Sequence, residues 1–397
     1  MTANKLAKRI ADAIAKQETV GWHLDKEGKQ QFVRCMTFKQ YMSLCLYDNE
    51  QGYYRSGAVR VGRAGDFYTS SGVGNVMAEC MAVCMAEYGR QMSATAISVI
   101  EWGAGTGRFS VQLKDVWDKH ACDNEGRIQL QQILVEDHPS HLQAASLAFE
   151  QLHSEAFIRN SVRSTQGSTL FLTSDQALHH ERIWLHHPTV IIANELLDAF
   201  PVHRIVKVNG EIKELGVAGT IEDGFYYVHM PLSDSRIAVL LERDGITLLE
   251  GQQTEINLVA GEWIEELGQI LDKGRIILID YGHEAEEYTA DHRMKGTLMC
   301  YWEHKASDHP FIRIGQQDIT AHVPFTFVRR AAEDAGWTVS YFNTQKQFLV
   351  DYGVFDLLQS HDASDPFSQT SKRNRAIRQL LLSDGMSETF KVMILDK

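Results

Sequence analysis

The feature that most limits the fold is an alternation of short apolar runs and helical stretches after about residue 97. The apolar runs have the length of single strands and read AISVIEW, IQLQQILVE, TLFLTS, PTVIIAN and RIILIDYG. Such runs are typical of strands buried on both faces, and parallel neighbours need a crossover helix between them. Two further runs near the end, WTVSYFN and FKVMILDK, complete the set. We therefore predict an α/β fold with a Rossmann-like, seven-stranded, mostly parallel sheet.

Residues 1–92 differ from the rest because they read mainly as helices joined by loops. We predict an N-terminal helical region over 1–92 and a main domain over 93–397 that carries two insertions. The first insertion, at about 205–258, contains Asn209-Gly210 between alternating segments, which is a strong signal for an antiparallel hairpin. The second, at about 283–323, is loop-rich and longer than a plain connection, and we interpret it as a lid.

The composition and charge exclude several classes of protein. A formal net charge of −13 opposes binding to nucleic acid, which needs a basic surface, and favours a cationic partner. The six cysteines form no CxxC pair and no zinc spacing, so we predict neither a metal site nor a disulfide framework. No apolar stretch approaches the roughly 18 residues of a membrane span, so we expect no membrane insertion.

The opening segment MTANKLAKRIADAIAK bears on the location of the protein in the cell. It lacks the apolar core of a secretory signal. Its basic amphipathic pattern resembles a transit peptide, but we interpret it as a helix packed on the rest of the chain. We therefore expect a cytoplasmic protein, for which a homodimer is left open.

A glycine-rich loop follows the first predicted strand of the sheet. VIEWGAGTGRF places Gly103, Gly105 and Gly107 between that strand and a predicted helix, where backbone N–H groups can meet a ligand. The dinucleotide fingerprint G-x-G-x-x-G needs a third glycine where this chain has Arg108, which disfavours a nicotinamide-dependent oxidoreductase.

Acids end the next two predicted strands. Glu136 lies roughly 30 residues past the loop, near the offset at which a carboxylate binds ribose hydroxyls. Ser174 and Asp175 end the following strand and could face an adenine, although an equally good interpretation makes them the N-cap of a helix.

The fourth apolar run, VIIANELLDAFPV, breaks into Asn194, Glu195 and Asp198. The carboxyl ends of strands in open α/β sheets border the ligand cleft, so these residues predict a catalytic site. A buried carboxylate needs a cationic or hydrogen-bonding partner, and arginine fits because its guanidinium pairs bidentately with carboxylates. The alternative is that the two acids flank the next helix, where the helix dipole favours them.

Several segments together resemble a known family. The pattern E-x-G-x-G-x-G, with Glu101 leading, looks like motif I of class I S-adenosylmethionine-dependent methyltransferases. Six further segments resemble the MidA-like family of these enzymes: YMSLCLYDNEQGYY (41–54), GDFYTSSGVG (65–74), ANELLDAFPV (193–202), IDYGH (279–283), GTLMCY (296–301) and DITAHVPF (318–325). The likeness covers nearly the whole chain from about residue 37.

The resemblance implies a cofactor, a substrate and a role for each matching residue. S-adenosylmethionine would bind Glu101, the three loop glycines, Glu136 and Asn194, with Gly65, Asp66, Thr69 and Ser70 as a further wall of its pocket. Asn194, Glu195 and Asp198 would orient the nucleophile, Asp280 and Tyr281 would line the substrate cleft, and His322 would act from the segment that closes over substrate. For Asp66 with Thr69, Asp280 with Tyr281, and His322, turn formation or packing is the alternative role.

The family's mitochondrial members methylate an arginine in a subunit of respiratory complex I and assist its assembly, so the resemblance implies a protein substrate of that kind. We predict methyl transfer to a protein arginine. Two alternatives stay open: an S-adenosylmethionine-binding assembly factor with little catalysis, and a methyltransferase acting on a small-molecule nitrogen or oxygen. A DNA base methyltransferase is disfavoured by the charge and by the absence of Pro-Pro-Tyr/Phe after Asn194.

Overall fold

The structure is a computed structural model that describes residues 5–55, 75–120, 128–159, 169–184, 187–288, 290–360, 365, 368–382 and 389–397. The chain divides into two compact units. Unit 1 comprises Met1–Ala58, Leu197–Glu266 and Gly282–Asp334. Unit 2 comprises Val59–Leu196, Leu267–Tyr281 and Ala335–Lys397. The boundary expected between residues 92 and 93 stays a prediction, because a compact unit is not by itself an independently folding domain.

Helices are distributed over the whole described chain. They are α1 (Lys5–Lys16), α2 (Phe38–Tyr47), α3 (Val76–Gln91), α4 (Arg108–His120), α5 (Pro139–Arg159), α6 (Ser174–Leu178), α7 (Glu181–Trp184), α8 (Arg236–Arg243), α9 (Leu258–Ile270), α10 (Ala285–Tyr288), α11 (Phe325–Asp334), α12 (Gln345–Asp351) and α13 (Gln369–Leu382). Within the described ranges, none of these helices is both long enough and apolar enough to cross a bilayer.

The strands are short, as the apolar runs predict. They are β1 (Val20–Leu24), β2 (Gln30–Arg34), β3 (Met36–Thr37), β4 (Ala96–Trp102), β5 (Gln129–Val135), β6 (Thr169–Leu172), β7 (Thr189–Asn194), β8 (His203–Val208), β9 (Glu211–Thr220), β10 (Gly224–Met230), β11 (Gln253–Ile256), β12 (Gly274–His283), β13 (Met299–Trp302), β14 (Lys305–Ser307), β15 (Asp318–Thr320), β16 (Val323–Pro324), β17 (Thr338–Thr344) and β18 (Phe390–Asp396).

The main sheet of unit 2 confirms the predicted fold class. Seven of its eight strands run in the order β17-β18-β12-β7-β4-β5-β6, and the two-residue strand β16 pairs with β12 beside this path. The pairs from β12 to β6 are all parallel, and β18 pairs antiparallel with both β12 and β17. The chain starts this sheet in the middle, at β4, and moves first to one side and then to the other. Such a reversal creates the crevice at which open α/β sheets bind ligands.

Alternate residues of the central strands bury against helices on one face of this sheet. Ile97 and Val99 of β4 and Ile192 of β7 lie in one core cluster with side chains of α3 and α4, and all three are at most 1% exposed. Because side chains alternate along a strand, the intervening residues cover the other face, and Ile100 of β4 and Ile191 of β7, which pair in register there, are both 0% exposed. Burial on both faces explains the continuous apolar runs, and each fully buried large side chain contributes roughly 1.5–3 kcal/mol.

Unit 1 contains a second, antiparallel sheet in the order β11-β8-β9-β10-β1-β2, with β3 beside β9. The predicted hairpin is confirmed: β8 and β9 pair through Val208 and Glu211, and Asn209 and Gly210 form the two-residue turn with φ of 54° and 79°. Both values lie in the left-handed region that such turns require and that Asn and Gly tolerate best. The turn residues therefore determine this register.

Two segments contain strands that local patterning did not predict. Residues 20–37, which read as part of a helical region, form β1, β2 and β3. They are strands because β1 pairs with β10, about 207 residues away, and β3 pairs with β9, about 181 residues away, and local patterning does not reveal such contacts. Part of the loop-rich segment 283–323 forms a small sheet in the order β14-β13-β15, whose strands are too short to show a periodic pattern.

Candidate active site

The carboxyl ends of five neighbouring parallel strands in unit 2 lie in register. One row across the sheet contains Leu172 of β6, Val135 of β5, Trp102 of β4, Ala193 of β7 and Leu278 of β12. The polar residues that the sequence places directly after these strands therefore share one edge of the sheet. This edge is the candidate active site, and it brings together the predicted site residues in the described part of unit 2, apart from Glu101, whose carboxyl contacts Ser110 of α4.

The glycine loop joins β4 to α4, and its three glycines have different surroundings. All three have positive φ, between 53° and 74°. A Cβ on Gly107 would lie 2.8 Å from the Ala145 Cβ of α5, and one on Gly103 would lie 3.0 Å from Leu196 Cδ1. A Cβ on Gly105 would have no heavy atom within 4 Å. Gly103 and Gly107 thus permit close packing, whereas Gly105 borders open space that suits a ligand.

Glu136 lies directly against this loop. Its Oε2 accepts the N–H of Gly105 at 2.7 Å, and its Oε1 accepts the N–H of His138 at 2.8 Å. Burial raises the pKa of the Glu136 carboxyl, and these two backbone donors oppose that shift. The carboxylate is thereby held rigidly at the loop while each oxygen keeps further acceptor capacity, as the proposed pairing with ribose hydroxyls requires.

Glu101 has a different environment from the one its motif position implies. It is buried at 6% exposure in β4, and its carboxyl accepts the hydroxyl of Ser110 in the first turn of α4. Burial raises the pKa of Glu101 to about 7. A direct role of Glu101 toward the cofactor stays a prediction, since the observed contact supports the helix that follows the loop.

The raised pKa of Glu101 predicts a pH-dependent stability. A carboxyl whose pKa is higher in the folded state stabilises the fold fully below its unfolded pKa of about 4.5, and this contribution is lost as pH rises through about 7. The loss amounts to about 3 kcal/mol in the free energy of unfolding. Glu101→Gln keeps the shape and removes the titration. In denaturant titrations at pH 5 and pH 8, the variant should gain stability relative to wild type at the higher pH; an equal difference at both pH values would contradict this assignment.

Asn194 and Glu195 occupy the end of β7, and both are half-buried. Asn194 Nδ2 donates to Glu195 Oε1 at 3.2 Å, and the N–H of Glu195 donates to the Ile279 carbonyl of β12 at 2.8 Å. Glu195 has φ of 52°, a left-handed conformation that costs a non-glycine residue roughly 1–2 kcal/mol. The sheet pairing holds Glu195 in this conformation, and such strain is typical of functional sites.

Asp280 and Tyr281 follow on the adjacent strand β12. Asp280 is 1% exposed, and its Oδ1 accepts the N–H of Tyr281 at 2.9 Å. The Tyr281 ring lies edge-on to Phe390 with centroids 5.5 Å apart, so part of this ring serves packing. Their assignment to substrate binding stays a prediction.

The end of β6 corrects one alternative. The N-cap of α6 is Thr173, which forms a capping box with Gln176, and not Ser174 or Asp175. Thr173 has the extended backbone that a capping residue needs, whereas Ser174 is already helical. The N–H of Ser174 donates to Asp137 Oδ1 at 2.8 Å, and Asp175 is exposed in the first turn. Their assignment to adenine is not tested by these contacts.

Two predicted catalytic residues lie in unit 1. Asp198 is 5% exposed in a short 3-10 turn, and its carbonyl accepts the N–H of Ala321 at 3.0 Å. Nearby Tyr54 donates its hydroxyl to Asp318 at 2.7 Å, and burial followed by the charges of Asp318 and Asp198 raises the pKa of Tyr54. This part of unit 1 therefore combines buried acids with tyrosine rings, a composition that suits a cation.

His322, the other predicted catalytic residue of unit 1, contacts a second histidine. Its Nδ1 lies 2.8 Å from His283 Nε2, and its N–H donates to Thr297 Oγ1 at 3.1 Å. Burial, together with His283 and Arg293, lowers the pKa of His322 to about 3. The imidazole is therefore neutral at physiological pH. Gly65, Asp66, Thr69 and Ser70, predicted to wall the cofactor pocket, lie outside the described residues.

Sequence reasoning did not assign roles to His138, His283, Arg293 or Leu196. The position of His138 at a helix start could have been identified from the sequence, because His138 precedes Pro139. In the structure, its Nδ1 accepts the N–H of Ser140 at 3.2 Å. The roles of His283 and Arg293 depend on contacts that no local signal reveals. In the described ranges, no three His, Cys, Asp or Glu side chains are grouped as a metal site would need.

The reversing parallel sheet, the glycine loop and the acid after β5 together define a Rossmann-like fold of the kind found in S-adenosylmethionine-dependent methyltransferases. Residues 76–343 match the family model described as "Putative S-adenosyl-L-methionine-dependent methyltransferase", and the chain belongs to this family.

Comparisons with individual proteins agree with the family. The chain is 24% identical over 368 residues to "Protein arginine methyltransferase NDUFAF7, mitochondrial" of Danio rerio, covering 89% of this chain and 81% of that protein. It is 26% identical over 338 residues to the Homo sapiens protein of the same name, covering 80% and 70%. A crystal structure from Burkholderia thailandensis with bound S-adenosyl-homocysteine is similar at TM-score 0.80 and 27% identity, over 99% of this chain and 92% of that one.

The chain is therefore an S-adenosylmethionine-dependent methyltransferase, as the resemblance implied. The residues at the sheet edge fit this cofactor. Gly105 leaves open space beside a backbone N–H, and Glu136 supplies a rigid carboxylate of the kind that binds ribose hydroxyls.

The expected cytoplasmic location is contradicted by the relatives, whose names describe mitochondrial proteins. The expectation depended on the lack of a secretory signal and on the interpretation of the opening segment as a packed helix. The lack of a secretory signal argues against export, but it does not distinguish the cytosol from the mitochondrion. α1 packs in unit 1 through Leu6 and Ile10, which are 0% exposed.

Proposed function

We propose that this methyltransferase modifies a guanidinium nitrogen of arginine in a protein substrate. The observation that carries the proposal is the Glu195 carboxylate, held by strained backbone at the sheet edge, next to Leu196, whose Cδ1 lies 3.0 Å from the position a Cβ on Gly103 would take. The names of the relatives from Danio rerio and Homo sapiens support it, because both are protein arginine methyltransferases.

In this proposal the acids bind and orient the cationic substrate. A carboxylate and a planar guanidinium form two parallel hydrogen bonds, which fix the orientation as well as the position of the arginine. Asn194 keeps one oxygen of Glu195 in place through its amide. Asp198, a buried acid of unit 1, is the other carboxyl group in this proposal that orients the nucleophile, and Asp280 with Tyr281 lines the substrate cleft.

S-adenosylmethionine supplies the methyl group as an electrophilic carbon on a sulfonium. Because the guanidinium pKa is above 12, no ordinary protein base removes its proton beforehand, so the proton leaves as or after the new N–C bond forms. His322, neutral at physiological pH, accepts this proton. Orientation by the acids contributes most of the rate, since positioning alone can supply several kcal/mol.

The remaining predicted contacts belong to the same proposal. Ser174 and Asp175 face the adenine. The protein partner carries a cationic side chain that matches the net charge of −13, and by family resemblance it is a respiratory-complex subunit.

The test is methyl transfer from isotope-labelled S-adenosylmethionine to matched peptides that contain either arginine or lysine in the same flanking sequence. Mass spectrometry should find the label on arginine only. Label on lysine or on small molecules alone would contradict the proposal. Cofactor binding without transfer to arginine in peptides or in mitochondrial extracts would favour the assembly factor instead.

A further inference from the structure

Four polar side chains of unit 1 form a connected chain that ends at His322. It consists of Glu287 in α10, Arg293, His283 at the end of β12, and His322 just before β16. The parallel pairing of β12 with β16, in which His283 lies opposite Pro324, brings the two histidines together. Their ring centroids are 4.8 Å apart.

The hydrogen bonds in this chain have only one consistent direction. Arg293 is a donor without an acceptor atom, and its Nη2 lies 2.8 Å from His283 Nε2. His283 Nε2 must therefore hold a lone pair, so the proton of this neutral ring is on Nδ1. The same Nε2 lies 2.8 Å from His322 Nδ1, which must then donate as well, so that Arg293 and His322 share the one lone pair of His283 Nε2. The proton of neutral His322 is on Nδ1, and its Nε2 holds the lone pair.

The other contacts keep both ends of this chain in place. Glu287 Oε1 accepts Arg293 Nε at 3.2 Å and Nη2 at 3.0 Å, and the same carboxylate lies 3.4 Å from His292 Nε2. At the other end, Thr297 donates its hydroxyl to Glu255 at 2.9 Å and accepts the N–H of His322 with the same oxygen. The backbone and one ring nitrogen of His322 are thus both fixed.

We propose that Arg293, acting through His283, is a positioning residue that holds His322 in its Nδ1–H form, so that Nε2 can accept the proton from the methylated nitrogen. This inference rests on the proposed function of His322. The step is balanced: the acceptor nitrogen gains the methyl carbon, the carbon–sulfur bond breaks with its electron pair going to sulfur, and the N–H proton moves to Nε2.

Arg293→Met tests the relay, and Arg293→Lys is the matched control because lysine is also a donor without an acceptor. In protein with ¹⁵N-labelled histidine, Nε2 of His322 should resonate as an unprotonated nitrogen in wild type and in Arg293→Lys. Arg293→Met should give a mixture of the Nδ1–H and Nε2–H forms of His322. Its kcat should fall roughly 10–100-fold, which is part of the contribution of a general base, while the affinity for the cofactor stays unchanged. Arg329→Met, which removes an arginine beside Glu284 in the same unit, should change neither quantity.

The readouts separate this inference from the proposed function. An unchanged His322 spectrum in Arg293→Met would refute the relay whatever the activity. A mixed spectrum with full activity would refute its link to catalysis. Full arginine methylation by His322→Gln would instead refute the proposed role of His322 as proton acceptor. The spectra of wild type and Arg293→Met would still decide which tautomer His322 adopts.

Discussion

Gly105→Arg is expected to lower the affinity for S-adenosylmethionine more than about 100-fold, which corresponds to about 2.7 kcal/mol, without unfolding the protein. The space beside Gly105 contains no protein atom within 4 Å of the Cβ position, so an arginine side chain meets no protein atom there but occupies the space assigned to the ligand. The backbone N–H of residue 105 also donates to Glu136 Oε2 at 2.7 Å, so a shift of the loop would move that carboxylate. Isothermal calorimetry measures the affinity.

Two further glycine variants separate binding from folding. Gly105→Ala places a small side chain in the same open space, with φ of 53° as its main cost, and should retain affinity within about tenfold while losing roughly 1 kcal/mol of stability. Gly107→Ala would bring a Cβ within 2.8 Å of the Ala145 Cβ and should mainly destabilise the protein. Normal affinity in Gly105→Arg would show that the cofactor does not lie against this loop.

Glu195→Gln is expected to lower kcat for arginine methylation by roughly 100-fold to 10,000-fold while the affinity for S-adenosylmethionine stays within about twofold. The amide keeps the size of the side chain and its position at the end of β7, but it replaces one acceptor with a donor and removes the charge. A guanidinium then loses its bidentate partner. Single-turnover methyl transfer with saturating cofactor, beside calorimetry on the same preparation, measures both quantities.

Asp272→Asn is the matched control for this substitution. Asp272 is an exposed acid just before β12, at the opposite edge of the same sheet. The control removes one negative charge from the same unit, so it reports any effect of net charge on a cationic substrate. Equal losses in the two variants would show a general electrostatic effect, and full activity in Glu195→Gln would remove this carboxylate from the catalytic site.

The sequence indicated most of the sheet edge because its signals there are local. A strand buried on both faces must read as an apolar run, and a polar residue can appear only where burial ends. This rule identified the glycine loop from Gly103 to Gly107, the acid Glu136, and the pair Asn194 and Glu195. The expectation for residues 20–37 was wrong because strands β1 and β3 form by pairing with β10 and β9.

By itself, the amino-acid sequence determined the alternation of strands and helices, the position of the glycine loop and the acids that follow the strands, since each depends on neighbours within a few residues. Only the tertiary structure showed that Gly105 borders open space while Gly107 packs on Ala145, and that Glu101 contacts α4. It also joined Arg293, His283 and His322, which no periodic pattern connects. Burial, strain and the direction of a hydrogen bond are properties of groups brought together by folding, so they cannot be derived from spacing along the chain.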